Sequence, residues 1–216
     1  MEIKVMKNIL GENDKIAAEN RQLFAEKKIL VVNLMGSPGG GKTSLLEKTL
    51  DKIAEKINVA VIEGDLFTAK DAERIERHNV PVVQINTSGG CHLDAPMVQR
   101  AAESLNLDKL DLIIVENVGN LVCPAEFDVG ENFKVTVLSI TEGDDKPLKY
   151  PLIFKESAVV VPNKIDLLPF TNFDLAAARE DLQTIHPEIK IIETSCTKET
   201  GLEDWSNWLL KMREAV

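Results

Sequence analysis

The chain has 216 residues, with 35 acidic against 25 basic side chains and a formal charge of −10. That length suits one long domain, or a domain with appendages, and buries a core without covalent staples; the acidic balance argues against a nucleic-acid or membrane-surface protein. Its three cysteines, an odd number, make no disulfide framework and read as thiols, and without a bilayer-length apolar run or a leader pattern the expected compartment is the cytoplasm.

In chain order, residues 1–27 read as an N-terminal helical extension, with an amphipathic helix over 12–26 carrying Ile16, Leu23 and Phe24 among charges. Residues 28–216 read as one nucleotide-binding domain. The apolar run Ile29–Met35 is of strand length, and further strand-like runs follow at 58–62, 80–85, 110–115, 135–140, 158–161 and 189–192. Helical patterns lie near 44–56, 69–78, 95–105, 174–185 and 202–213. The alternation predicts an α/β fold: a mostly parallel sheet of about seven strands with helices on both faces. In such sheets ligands bind beyond the carboxyl ends of the strands.

The first strand runs into Gly36-Ser37-Pro38-Gly39-Gly40-Gly41-Lys42-Thr43, which fits G-x-x-x-x-G-K-[ST]. A helix opening at Ser44 follows, so the motif sits at the strand-to-helix junction that a phosphate loop requires. Its glycines let the backbone curl around phosphates with amides inward, and the helix offers the same anion its positive end. Lys42 is placed to reach the β- and γ-phosphates, and Thr43 to put its hydroxyl on Mg²⁺. The second strand exits at Glu63-Gly64-Asp65 and the fourth at Glu116-Asn117-Val118-Gly119-Asn120. Asp65 and Glu116 are each placed to hold Mg²⁺ or its waters, with Asp65 expected to contribute more; a helix cap or a solvated loop charge is the plain alternative for either. The spacing Glu116-x-x-Gly119 matches a switch whose glycine amide meets a γ-phosphate. The sixth strand exits at Asn163-Lys164-Ile165-Asp166, the N-K-x-D pattern. Asp166 accepts from the two donors on guanine, which adenine lacks, so a wrong base would leave a carboxylate unpaired. Lys164 covers the base with its stem and Asn163 braces neighbouring loops. The loop at Ser195-Cys196 is expected to offer backbone amides to the guanine carbonyl, with the Cys196 side chain packing as a small apolar group.

The third strand leads to Thr87-Ser88-Gly89-Gly90-Cys91-His92, and the segment after Gly119 leads to Cys123-Pro124. Both loops leave the carboxyl edge. Cys91, His92 and Cys123 then form a thiolate–imidazole set suited to Ni²⁺ or Zn²⁺, which a second copy across a two-fold axis would complete. Two buried thiols and a surface imidazole is the competing account. His78 and His186 have no partner pattern and read as surface residues.

These strings, together with Ser88-Gly89-Gly90-Cys91-His92-Leu93, the run from Glu116 to Pro124 and the run from Thr141 to Pro151, closely resemble the HypB family over nearly the whole chain. The motif residues themselves predict binding of GTP and GDP with Mg²⁺, and with no obvious general base in the sequence slow turnover is expected. The resemblance implies a SIMIBI-class GTPase. It implies a homodimer formed with GTP, with Ni²⁺ or Zn²⁺ held by Cys91, His92 and Cys123 at the dimer interface. The implied partners are a HypA-type nickel protein and a [NiFe]-hydrogenase large-subunit precursor. No Cys-rich or His-rich stretch precedes the domain, so N-terminal nickel binding does not carry over. Ser37 stands where many SIMIBI proteins have an additional lysine. The alternatives are a urease-type nickel-insertion GTPase, a small-molecule kinase with the same phosphate loop, and a scaffold that keeps GTP as a structural ligand. The kinase reading leaves the run from Asn163 to Asp166 without a role.

Overall fold

The computed structural model describes residues 9–65 and 70–216. Seven strands form one sheet: β1 (Leu30–Gly36), β2 (Val59–Asp65), β3 (Val82–Asn86), β4 (Leu112–Glu116), β5 (Phe133–Ser139), β6 (Val159–Asn163) and β7 (Lys190–Ile191). Their order is β3-β2-β4-β1-β5-β6-β7. Each neighbouring pair is parallel, so the sheet is wholly parallel rather than mostly so. Strands buried on both faces are apolar at nearly every position, and β1, β4 and β6 are buried end to end.

The principal helices are α1 (Ile9–Glu26), α2 (Lys42–Ile53), α3 (Lys70–Glu76) and α4 (Ala95–Glu103). Three short ones follow, α5 (Cys123–Glu126), α6 (Lys146–Lys149) and α7 (Pro151–Lys155), then α8 (Leu175–Ile185) and α9 (Leu202–Glu214). The three short helices have no counterpart in the periodicity, because one turn is too brief to show a period of 3.6. Residue 69, where the expected third helix begins, lies outside the described residues, as do residues 1–8.

Alternate strand residues divide the core. Leu30, Val32 and Leu34 of β1 join Val59 and Val61 of β2 against Leu45, Leu50, Trp205 and Leu209 from α2 and α9. The opposite face has two separate apolar clusters. Val31 packs with Phe24 of α1 and Val98 of α4; Met35 packs with Phe154 of α7 and Leu182 of α8. Asn33, on the same side of β1 as those two residues, marks the seam between them and is fully buried. Helix α1 packs on α4 and sets Ala17 and Phe24 into the core.

Candidate functional site

The phosphate loop spans the turn from β1 to α2. Helix α2 begins at Lys42, and Gly41 before it has φ +96°, a left-handed value suited to glycine. A side chain there would also overlap the amide of Asn163. Lys42 is buried, and its Nζ donates to the carbonyls of Gly36 and Ser37, each at 3.2 Å. Ser37 Oγ donates to Glu142 Oε2 at 2.5 Å. Gly39, Gly41, Lys42, Thr43 and Ser44 line a cavity of about 400 Å³, closed on its other side by Glu63, Asp65, Glu116 and Gly119.

The parallel register carries the acids to this cavity. Glu63 of β2 lies directly opposite Glu116 of β4. Both are buried, and each has one carboxyl oxygen, Oε2, with no hydrogen-bond partner. Burial, then the neighbouring carboxyl of Glu116, pushes Glu63 up to about 10. Burial likewise raises Glu116, against the pull of Lys42 and of the Thr43 hydroxyl. Thr43 Oγ1 donates to Glu116 Oε1 at 2.8 Å. Two buried carboxyls with orphaned oxygens beside a phosphate loop are a donor set for a hard divalent cation, so Mg²⁺ fits here. Asp65 ends β2 at the rim of the same cavity.

At the other end of the loop the residues of the Asn163–Asp166 turn are wired together. Asn163 Nδ2 donates to Gly40 O at 3.2 Å, while its Oδ1 accepts from Lys164 N at 2.8 Å and from Thr194 Oγ1 at 3.1 Å. Lys164 has φ 65° and extends its Nζ to Gly39 O at 2.6 Å. Asp166 Oδ1 accepts from Ser195 Oγ at 2.5 Å, and Ser195 Oγ also accepts from Lys198 N. Cys196 packs on the main core, and burial raises its thiol to about 11.

The two cysteine-bearing loops converge. Cys91 Sγ, a ring nitrogen of His92 and Cys123 Sγ all lie within 4.8 Å of one another. Cys91 Sγ is 3.5 Å from His92 Nδ1, and the imidazole stacks on Phe127 with centroids 3.7 Å apart. Burial lowers His92, favouring the neutral ring that a metal needs. Hydrogen bonding with Cys91, then burial, raises the Cys123 thiol, and a bound cation would favour its deprotonation. All three cysteines are free.

A profile described as CobW/HypB/UreG, nucleotide-binding domain, matches residues 30–193. The chain is 48% identical over 211 residues to the hydrogenase maturation factor HypB of Escherichia coli (strain K12), covering 98% of this chain and 73% of that protein. The chain belongs to the HypB family. Among solved structures, HypB from Helicobacter pylori in complex with nickel superposes with a TM-score of 0.90 at 39% identity, over 94% of this chain and 96% of that one. HypB from Archaeoglobus fulgidus superposes with a TM-score of 0.89 at 37% identity, over 94% of this chain and 100% of that one. The wholly parallel seven-stranded sheet is thus that of HypB P-loop GTPases.

The geometry of this HypB-family chain also names residues that motif reading passed over. In the sequence Glu63 stands at the exit of the second strand with no role assigned, whereas in the fold it lies inside β2 and lines the cavity. Arg74 of α3 lines the cavity, bound to Glu47 and Ser44 of α2. Asn120 joins three loops: its N donates to Gly36 O at 3.0 Å, its Nδ2 to Cys91 O at 3.3 Å, and its Oδ1 accepts from Val122 N at 2.8 Å. The Glu116–Cys123 string in the sequence contained it, without indicating which loops it ties. His78 and His186 are half-buried rather than surface residues, and His78 Nδ1 sits 3.1 Å from Asp51. Among the described residues no helix is long and apolar enough to cross a membrane.

Proposed function

We propose that this protein is a Mg²⁺-dependent GTPase with slow intrinsic turnover. In this reading it takes Ni²⁺ or Zn²⁺ at Cys91, His92 and Cys123 and couples that uptake to a GTP-dependent homodimer. Its task is nickel delivery to a [NiFe]-hydrogenase large-subunit precursor, with a HypA-type protein as nickel partner and the cytoplasm as its compartment. The observation that carries the reading is the convergence of two thiols and an imidazole on loops that leave the same strand edge as the phosphate loop. The nickel complex of a similar HypB supports nickel as cargo. The base-recognition cluster around Asp166 and Ser195 supports a guanine nucleotide, and counts against a small-molecule kinase.

Phosphoryl transfer asks the protein for position and charge rather than covalent chemistry. The amides from Gly39 to Ser44 and the Lys42 ammonium would hold the β- and γ-phosphates. The Gly119 amide would hold the γ-phosphate in line for water. Water then bonds to the γ-phosphorus as the bond to the β–γ bridging oxygen breaks, giving GDP and inorganic phosphate. Thr43, Asp65 and Glu116 would hold Mg²⁺, which supplies charge neutralisation between the β- and γ-phosphates. Cys91 and Cys123 would bind as thiolates and His92 as a neutral ring, so metal affinity falls with falling pH.

The test is a titration with Ni²⁺ and Zn²⁺ in the GDP form and in a non-hydrolysable GTP form, with mass in solution read at each step. Tighter metal binding and a dimeric mass with the GTP analogue are expected, with the Cys91→Ala/Cys123→Ala variant silent. Equal affinity in both nucleotide states removes the coupling, and a double variant that binds metal like the parent removes the site.

A further inference from the structure

Helix α1 carries two asparagines, Asn13 and Asn20, on the face that also buries Ala17 and Phe24. Asparagine is a poor helix former, and a buried amide is costly unless bonded. Both side chains spend their bonds on the same two distant segments. Asn13 Oδ1 accepts from Ala95 N at 2.9 Å and its Nδ2 donates to Asp128 O at 2.9 Å. Asn20 Nδ2 donates to Ala95 O at 3.0 Å and to Val129 O at 3.1 Å. Ala95 follows His92 through Leu93 and Asp94, and opens α4. Asp128 and Val129 follow Phe127, the residue that stacks on His92, and α5, which begins at Cys123.

The bridge continues across the molecule. Glu131 Oε2 accepts from Val129 N at 2.7 Å, and Asn117 Nδ2 donates to Asn33 Oδ1 at 3.1 Å. Asn117 Oδ1 accepts from Leu93 N, next to His92, at 3.0 Å. Gly130 lies against α1 so closely that a side chain there would come within 2.9 Å of Ala17 O and 3.0 Å of Arg21 N. All of these bonds are buried except the one from Asn13 to Asp128 O, which is part-buried, so replacing the buried partners by water is costly.

We infer that α1 is a positioning strut of the metal site. Through Asn13 and Asn20 it holds the Cys91–His92 loop and the Cys123–Phe127 segment at the separation the metal needs. The inference rests on the metal-binding reading above and goes beyond it, because it assigns a function to a helix outside the nucleotide motifs. It separates metal affinity from nucleotide affinity, since the two amides bond to segments of the metal loops and to none of the phosphate loop.

The experiment uses the full chain in its GDP form, titrated with Ni²⁺ against a competing chelator, comparing the parent with Asn13→Ala, Asn20→Leu and Phe24→Leu. Loss of residues that orient metal ligands typically costs about 10–100-fold in affinity. The asparagine variants act one step further out and should lose about tenfold, while GDP affinity stays that of the parent. Phe24→Leu shortens a core side chain of the same helix without touching the bridge, so it should lower Tm and leave Ni²⁺ affinity alone. With Co²⁺ as probe, the d–d bands should shift in the asparagine variants only. Asn13→Ala and Asn20→Leu binding Ni²⁺ like the parent would overturn the inference, as would equal losses in Phe24→Leu. If Asn20→Leu fails to fold, Asn13→Ala decides. A parent that binds neither Ni²⁺ nor Zn²⁺ brings down the metal reading itself, a result distinct from a parent that binds and variants that match it.

Discussion

In the proposed function, Asp166 sets the choice of base. Ser195 holds it at 2.5 Å and Asn163 fixes the turn before it, so its acceptor atoms are placed before any base arrives. Asp166→Asn replaces an acceptor with a mixed donor and acceptor. It should weaken GTP and GDP by about 1.5–3 kcal/mol and favour xanthine nucleotides; a nucleotide-binding titration with both bases checks it, and unchanged GTP affinity would unseat Asp166 as the base-reading group. Among the acids, Glu116 accepts a hydrogen bond from the Thr43 hydroxyl. Glu116→Ala should slow single-turnover hydrolysis by roughly 10²-fold, the loss typical of one pre-placed electrostatic group. Asp65→Ala should also slow it, and a parental rate in that variant would remove Asp65 from the site.

The segment from Glu116 to Cys123 joins the wall of the phosphate-loop cavity to the Cys91–His92–Cys123 cluster. Gly119 passes so near the phosphate loop that a Cβ would stand 2.8 Å from the backbone of Pro38. Asn120 then pairs with Gly36 and extends its amide to the carbonyl of Cys91. A γ-phosphate drawing on Gly119 would therefore move both metal loops through one residue. Linkage makes the effect reciprocal, with typical factors of about 5–150. Asn120→Asp keeps the acceptor for Val122 N and loses the donor to Cys91 O. It should bring the ratio of metal affinities between the GTP-analogue and GDP forms down towards one. A ratio unchanged from the parent would show that the coupling runs elsewhere.

Across the whole molecule, Asp111 ties three elements at the amino end of the sheet. It accepts from Asn58 N at 2.9 Å ahead of β2 and from Arg213 Nη2 at 2.5 Å near the end of α9, while itself leading into β4. The Asn58 amide, then the Arg213 guanidinium, hold its carboxyl below the ordinary value of 3.8. A depressed folded pKa adds stability that is present above the unfolded value and disappears as pH falls through the folded one. Asp111→Asn should thus cost about 1–2 kcal/mol in urea melts at pH 7 and less at a pH below the folded pKa. An equal cost at both pH values would mean that packing, not charge, is what Asp111 contributes.

The sequence alone determined the parts whose signal is local. Seven strand runs, the phosphate loop and the turn from Asn163 to Asp166 were legible because each is a short string with its own backbone requirement. The order of strands was not, since periodicity records that a strand is buried and not which strand lies beside it. That order decided the chemistry at Glu63, which only the β2–β4 register sets against Glu116. It also decided the use of Asn13, Asn20, Asn33 and Asn117: no motif says what these amides bond, and all four are buried in the fold. Burial of a polar group is costly without partners; apart from Asn20 Oδ1, which has none among the described residues, the amides find theirs on segments far apart in the chain, so the belt that joins α1 to the loops carrying Cys91 and Cys123 exists only once the tertiary structure has brought them together.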